Sequence, residues 1–505
     1  MRSIKPIYWF WLGWLLLGWY LGQFGSLPKG PESVHQGAQS DRACVAWNYY
    51  HESMNFFQPR VSEDRQSDGI AGMEFPAIPY TAALCYKIFG PHEIIYRLIL
   101  YLLVSLGVFY AWKITGLFIQ KSTHRLLVLL GWYCSPILVF YTANFLPDPA
   151  AMAFVLIAWF HLLRCAYGVE PGKNLRLFAL FITLAGLLKV SFLLYLIAGF
   201  LLFALWPLFG ENQVLQLRLT WRGAVWFILP VIPVGAWYTY ANQLTQKTSN
   251  MHFLQRSNPA ESIGAFFQNS ESALNNWQES LYRPGFIYVF LLFLTFLLLF
   301  RMKQALLPGL SAALMLLGFG GIWILFNKQF LYHDYYFILA FPALLFGWIF
   351  IQQLFLEHRG IFIGLIPVVV LIAFWIIPFS NAGHAAKMMN RRYQDGDFYH
   401  QNAFDGATDL VKHADTLTRI IPDGERVFYA FDVTPNTALY LLKKRGVRIS
   451  KDFGPEITAD ILSKSRARYL VLNDSALWFS RYEPVLKTGA KWLYHQDLVW
   501  VYRLP

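Results

Sequence analysis

Charge is scarce in this sequence. Of its 505 residues only 14% are Asp, Glu, Lys or Arg, while 56% are hydrophobic; soluble globular proteins carry about 25% charged residues. A soluble domain of this length has no core large enough to hide so much apolar surface. A polytopic membrane protein does, because lipid accepts the outer faces. Cysteine is scarce as well: four residues exclude a disulfide framework or a metal knuckle. Cys134 and Cys165 fall in or at the ends of apolar runs. Cys44 and Cys85 share one long loop, and we read them as two separate thiols, with a disulfide in an oxidising compartment as the alternative. There is no Walker loop, no dinucleotide-binding glycine fingerprint, no GxSxG and no HExxH, which removes four common chemistries at once. The formal net charge of +12 invites nucleic acid. Its Lys and Arg, however, come in ones to threes between apolar runs, the mark of membrane topology, so no nucleic-acid partner is expected.

What is present is aromatic and apolar. Trp 19, Tyr 28 and Phe 44 suit interfacial belts. An uncleaved first span is expected over 7–24, preceded by Arg2 and Lys5. Further spans fall near 94–112, 126–142 and 149–163, with basic connections at 119–125 and 164–176 and none at 143–148. The apolar run 177–209 is too long for one span of about 20 residues and holds a single charge, Lys189. Read as two short spans meeting at Lys189, it keeps Arg218, Arg222, Arg301 and Lys303 on the basic side. Spans near 223–241, 284–300, 305–326, 335–356 and 361–379 bring the total to about eleven. The N-terminus is then cytoplasmic, and the loops 25–92 and 242–283 and everything after 380 lie outside.

The stretch from His35 to Pro91 is long for a loop between spans, and such loops are functional or disordered. Its Trp, Tyr and Phe content, with Pro76 and Pro79, makes it an ordered roof over a catalytic cavity at the membrane face. In 242–283 an interfacial helix is expected, capped by Ser257 or Asn258 with Pro259 in its first turn. From residue 380 the composition is that of a soluble domain: helix 404–420, strand 427–431, helices 435–445 and 456–465, strand 468–473 and a closing hairpin around HQD. The expected fold is therefore mainly α and polytopic, with a transmembrane domain over 1–380 and a small extracytoplasmic α/β domain over 381–505.

Several residues stand out against this background. Asp41 follows the first span and heads the long loop; it is either a solvated loop charge or a catalytic carboxylate. Asp148 sits in FLPDPAA, where the chain turns between two spans, and is either a helix cap or an acid held at the membrane boundary for a purpose. Lys189 either snorkels at a hairpin tip or neutralises a phosphate. His333 occupies the short connection NKQFLYHDYYF with Lys328, and Tyr335 and Tyr336 form either an aromatic belt or a site wall. Glu74 and His252, from two outside loops, would share a divalent metal ion, although two ligands without a third are a weak set. Asp395-Gly396-Asp397 has the form of a metal–diphosphate motif, but no nucleotide-binding βαβ unit precedes it, so we read it as a linker.

Nucleotide-activated substrates are cytosolic, and no cytosolic domain is expected here. A group transfer on the outer face therefore needs a donor that arrives through the membrane, and a lipid phosphate meets that need. The chemistry calls for a carboxylate to deprotonate an acceptor hydroxyl and cations to stabilise a phosphate leaving group.

The order of features resembles the GT-C membrane glycosyltransferases, in the bacterial branch of the lipid A aminoarabinose transferases and the relatives of protein O-mannosyltransferase. The resemblance rests on an Asp after the first span, the stretch MEFPAIPYTAALCYKIFG, the LPD before the fourth span, the AGLLKVSFLLY turn and HDYYFILAFPAL, over about residues 1–350. It implies Asp41 as the main catalytic carboxylate and Asp148 as its second acid. Glu74 would stand near the donor or a metal. Lys189, His333 and Tyr335 would border the lipid-phosphate site. One departure matters: where the aminoarabinose branch has Asp-Glu and Glu-Lys, this chain has Asp41-Arg42 and Glu74-Phe75. The phosphate-binding lysine is missing, and Arg42 would stand in for it. The resemblance implies a multi-pass enzyme of the bacterial inner (cytoplasmic) membrane. Its donor would be a polyprenyl-phosphate sugar, passed to a lipid, glycan or protein acceptor on the extracytoplasmic face. A transporter or flippase of lipid-linked sugars is the alternative; it predicts inverted repeats or charges deep within spans, and neither is evident.

Overall fold

The computed structural model describes residues 6–65, 67–208, 221–250, 253, 257–357, 366–394, 408–430, 434, 436–449, 455–472 and 489–505. The chain divides into two compact units. The first comprises Met1–Leu27, Arg97–Tyr238 and Arg256–Asn390, and the second Pro28–Tyr96, Thr239–Gln255 and Arg391–Pro505.

The first unit is helical. Among the described residues six helices are long and apolar enough to cross a membrane: Glu93–Phe118, Asp148–Ala166, Val190–Leu208, Gly223–Thr248, Leu306–Leu325 and Asp334–Phe355. Two bent pairs raise the total to eight, short of the eleven expected. The helix Pro6–Tyr20 has only 15 residues, short of the 20 or so needed to span the hydrocarbon core, and residues 361–365 of the last expected span lie outside the described residues.

Where spans break, the sequence gives the reason. The expected span 126–142 is two helices, Ser122–Tyr133 and Pro136–Thr142, bent by 86°. Ser135, before Pro136, is forced to extended backbone (φ −89°, ψ 130°), and proline has no N–H to continue the ladder. The run 177–209 breaks as expected: Pro171–Leu188 ends at Lys189, which is extended (φ −156°, ψ 110°), and a 3-10 turn Val190–Leu193 leads into Leu194–Leu205. In 242–283 the helix is Ile263–Leu281, bent by 105° from Phe286–Arg301. Its cap is Ser262, whose Oγ accepts from the Ala265 N–H, so Pro259 precedes the helix instead of opening it.

The second unit is built on a five-stranded sheet of order β2-β1-β3-β5-β4. Its strands are β1 (Arg426–Ala430), β2 (Arg445–Ile449), β3 (Tyr469–Leu472), β4 (Lys491–Gln496) and β5 (Val499–Arg503). β1 runs parallel to β2 and β3, and β5 is antiparallel to β3 and β4. Side chains alternate between two cores: Val427, Tyr429 and Val471 pack with Leu410 and Leu417 on one face, and Phe428, Val447, Leu470 and Leu472 form the other. The expected helix 435–445 is only Thr437–Leu441, and its last expected residue, Arg445, opens β2.

The long loop is folded onto this sheet. It holds the helices Gln36–His51 and Ala77–Phe89. Between them, Glu63 forms a parallel bridge with Gly446: the Asp64 N–H donates to Gly446 O at 2.9 Å and the Gly446 N–H to Ser62 O at 3.2 Å. The exposed edge of β2 is thereby capped from within the same unit. Asp64, buried, accepts from Arg426 Nη2 at 2.6 Å and lies 3.6 Å from Arg445 Nε.

Candidate functional site

The sequence singles out residues that the structure gathers into two clusters, one in each unit. In the membrane unit the cluster forms where helices break. Asp148 is the first residue of the helix Asp148–Ala166, flanked by Pro147 and Pro149, and is 1% exposed. An acid suits the positive end of a helix, and Asp148 lies in its first turn. It also faces Lys189, with Nζ 3.3 Å from Oδ1. The extended backbone at Lys189 turns the side chain out of the helical path, and its ammonium lies 5.4 Å from the ring centre of Tyr335 and 5.2 Å from that of Tyr336. A cation over two tyrosine faces is held in place by the ring quadrupoles. His333 stacks on the same two rings, at 5.3 and 6.0 Å. Asp148, Lys189, His333 and Tyr335 are thus brought together.

Sequence reasoning missed three members of this cluster. Asp334 is fully buried and accepts from Tyr141 Oη at 2.6 Å, and the Tyr141 ring meets that of Tyr335 edge-on at 6.0 Å. Arg97 is likewise fully buried; its Nη1 donates to Ala143 O at 2.6 Å and its guanidinium covers Phe145 at 4.7 Å, bracing the turn that leads to Asp148. A buried charge near the end of an apolar span was the available signal for Arg97, and the HD pair was the signal for Asp334.

In the second unit Asp41 and Arg42 lie on the helix Gln36–His51. Asp41 Oδ1 accepts from Asn436 Nδ2 at 2.7 Å, and Asn436 Oδ1 in turn accepts from the Glu63 N–H at 2.9 Å. Both ends of the amide are thus in use, which fixes its orientation and leaves Asp41 half-buried in a set position. Asn436 was not singled out from the sequence: it stands at the start of the helix Thr437–Leu441, where an asparagine reads as a cap, but its side chain makes no cap bond. Burial, and after it the Asp41 charge, push the neighbouring Cys44 thiol well above its ordinary range, so that thiol is inert. All four cysteines are free thiols.

Arg42 forms an ion pair with Glu74, with Nε and Nη2 both 3.0 Å from Oε1, and lies 5.3 Å from the Phe253 ring centre. The carboxylate expected to hold a metal is therefore already neutralised by a guanidinium. His252, its expected co-ligand, and the Asp395-Gly396-Asp397 motif lie outside the described residues. Among the described residues no three His, Cys, Asp or Glu side chains gather as a metal site.

Comparison with known proteins places this architecture. Residues 74–237 match the family model described as dolichyl-phosphate-mannose-protein mannosyltransferase. No curated protein matches the chain by sequence. Among solved structures, ArnT from Cupriavidus metallidurans bound to undecaprenyl phosphate superposes with a TM-score of 0.59 at 14% identity, over 97% of this chain and 98% of that one. The apo form of the same protein gives 0.57 at 13%, with the same coverage. The oligosaccharyltransferase AglB from Archaeoglobus fulgidus, in complex with an inhibitory peptide and a dolichol-phosphate, gives 0.52 at 10%, over 100% of this chain and 75% of that one. The chain is a polytopic membrane protein with the GT-C fold of the membrane glycosyltransferases.

Proposed function

We propose that this protein is an integral membrane glycosyltransferase that moves a sugar from a polyprenyl-phosphate donor to a lipid, glycan or protein acceptor on the extracytoplasmic face of the bacterial inner membrane. The observation that carries the reading is Lys189, set at a helix break beside buried Asp148 and over the rings of Tyr335 and Tyr336. A cation so placed at the end of two short apolar helices suits a lipid-borne phosphate. The similarity to a structure bound to undecaprenyl phosphate supports the donor class.

In this reading Asp41 takes the proton of the acceptor hydroxyl as the acceptor oxygen attacks the anomeric carbon. The bond from that carbon to the phosphate oxygen breaks, polyprenyl phosphate leaves, and the sugar is transferred with inversion. Lys189 neutralises the charge that develops on the departing phosphate, with His333 and Tyr335 bordering it. Asp148 orients the acceptor or shares the role of base. Arg42, bound to Glu74, supports the donor site through that pair, and no step is drawn through a metal.

The test is release of free polyprenyl phosphate from a panel of radiolabelled polyprenyl-phosphate sugars by the purified protein, with Asp41→Asn beside wild type. Release by wild type alone is expected. Equal release by both would remove Asp41 from the chemistry, and no release from any donor by folded wild type would favour a transporter of lipid-linked sugars.

A further inference from the structure

At the far end of the helix that Asp148 begins lies a second charged cluster. Arg164, in the last turn of Asp148–Ala166, is separated from Asp148 by about 24 Å of helix at 1.5 Å per residue. It shares the ring of Phe160 with Lys113 from the helix Glu93–Phe118: Lys113 Nζ lies 4.1 Å from the ring centre and the Arg164 guanidinium carbon 5.9 Å. Lys113 also lies 4.5 Å from the ring centre of Tyr110. His161, one turn before Arg164, is held by Asn174, with Nδ1 2.6 Å from Oδ1. Because the Asn174 Nδ2 donates to Val169 O at 2.7 Å, the oxygen faces the ring and His161 Nδ1 is the donor. Lys113, Arg164 and Lys173 all act on His161 through space.

Like charges have thus been collected on one patch. Among the described residues no carboxylate forms an ion pair with Lys113 or Arg164. The nearby Glu170 lies 3.3 Å from Lys173. Mutual repulsion at such a patch is relieved by an anion set among the cations. The surface leading to it is apolar: Leu98, Leu102 and Leu106 are exposed along one face of the span, and that face ends at Phe109 and Lys113. An acyl chain laid along the leucines brings a headgroup to the cations.

We propose that Lys113 and Arg164, with His161 behind them, bind the phosphate of an anionic glycerophospholipid, at the membrane face opposite the Asp148 end of the helix. Basic pockets between membrane helices recognise lipid headgroups in this way, and the aromatic rings keep the cations in place while the site is empty.

The test is native mass spectrometry of the full chain in neutral detergent, titrated separately with phosphatidylglycerol, phosphatidylethanolamine and inorganic phosphate. Wild type is expected to retain phosphatidylglycerol about tenfold over phosphatidylethanolamine, and Lys113→Gln and Arg164→Gln each to lose about fivefold of that retention. Lys113→Arg is expected to keep it. Equal retention of the two lipids by wild type would overturn the proposal, as would unchanged retention in both glutamine variants. Displacement of the lipid by equimolar inorganic phosphate would overturn the lipid assignment. The wild-type arms decide the question even if a variant fails to accumulate.

Discussion

Asn436 donates to Asp41 at 2.7 Å, and the same amide accepts from the backbone of Glu63, so one side chain from the terminal α/β segment sets the carboxylate of the first loop. Removing it by Asn436→Ala takes away one of the hydrogen bonds that set the Asp41 carboxylate. A misplacement of about 1 Å at a reacting group costs on the order of 100-fold in rate, so a fall in kcat of that order, with unchanged membrane insertion, is the expected outcome. Asn436→Asp sets a second carboxylate against the first, which raises the apparent pKa of the pair. The acid limb of the pH–rate profile then moves to higher pH. An unmoved limb, with activity intact, would remove Asp41 from the role of base.

Lys189→Met removes the cation facing Asp148 and the positive end of the proposed phosphate site. Two effects separate. Loss of a partner from a largely buried ion pair costs about 3 kcal/mol of stability, read as a lower unfolding midpoint. The donor KM rises on the order of tenfold or more as a charge-assisted contact is lost. Lys189→Arg restores much of the stability, and a donor KM equal to wild type in Lys189→Met would place the phosphate elsewhere.

Asp64 carries a pH dependence of definite sign. Burial pushes its carboxyl up to about 6 from 3.8, against the lowering effect of Arg426 and Arg445. An acid whose native pKa is raised favours folding once it is protonated, so this contribution is present in full below the ordinary value and is lost as pH rises through about 6. Integrated over the window it amounts to about 3 kcal/mol, of which about 1 is gained between pH 7.5 and 5. Wild type should therefore gain stability relative to Asp64→Asn when both are moved from pH 7.5 to 5, as read by thermal unfolding of the pair. A difference that does not change with pH would refute the assignment.

Gly446 lies in β2 at φ +155°, and a Cβ built there would stand 1.9 Å from Val427 O. The same residue bonds to Ser62 and Asp64. Gly446→Ala must push β2 from β1 or release the loop; a loss above about 2 kcal/mol follows from either. Limited proteolysis would find the new cleavage sites within 60–70, where Arg60 and Arg65 are available to trypsin.

Much of this architecture was legible because single residues announce it. Lys189 interrupts an apolar run, FLPDP turns the chain, and alternating residues in VFYA and YLVL give strands. What was hidden depends on packing at a distance. The helix Gln36–His51 spreads polar and apolar residues around its surface because both kinds are buried, Gln39 by bonds to Glu32 O and Val34 O, so no stripe reveals it. The kink at Ser135–Pro136 was overlooked because the residues on both sides are apolar enough to read through it. β2 went unassigned because RGVRI carries two arginines, and one of them, Arg445, is used to reach Asp68 and Asp64. At the site, the acids and cations were visible one by one. Their partners Asn436 and Tyr141 were not, since nothing local marks an asparagine or tyrosine that will meet a carboxylate far along the chain.

The Asn436–Asp41 bond spans 395 residues of chain. At elongation rates of about 5–20 residues per second, roughly 20–80 s separate the synthesis of the carboxylate from that of the amide that orients it. Through that interval the helix bearing Asp41 and the segment around Ser62–Asp64 have been made without the strand that caps them. The nascent chain therefore carries Asp41 long before the amide that orients it exists. On the role proposed for Asp41, a chain halted before Asn436 would sit in the membrane with that carboxylate unaimed.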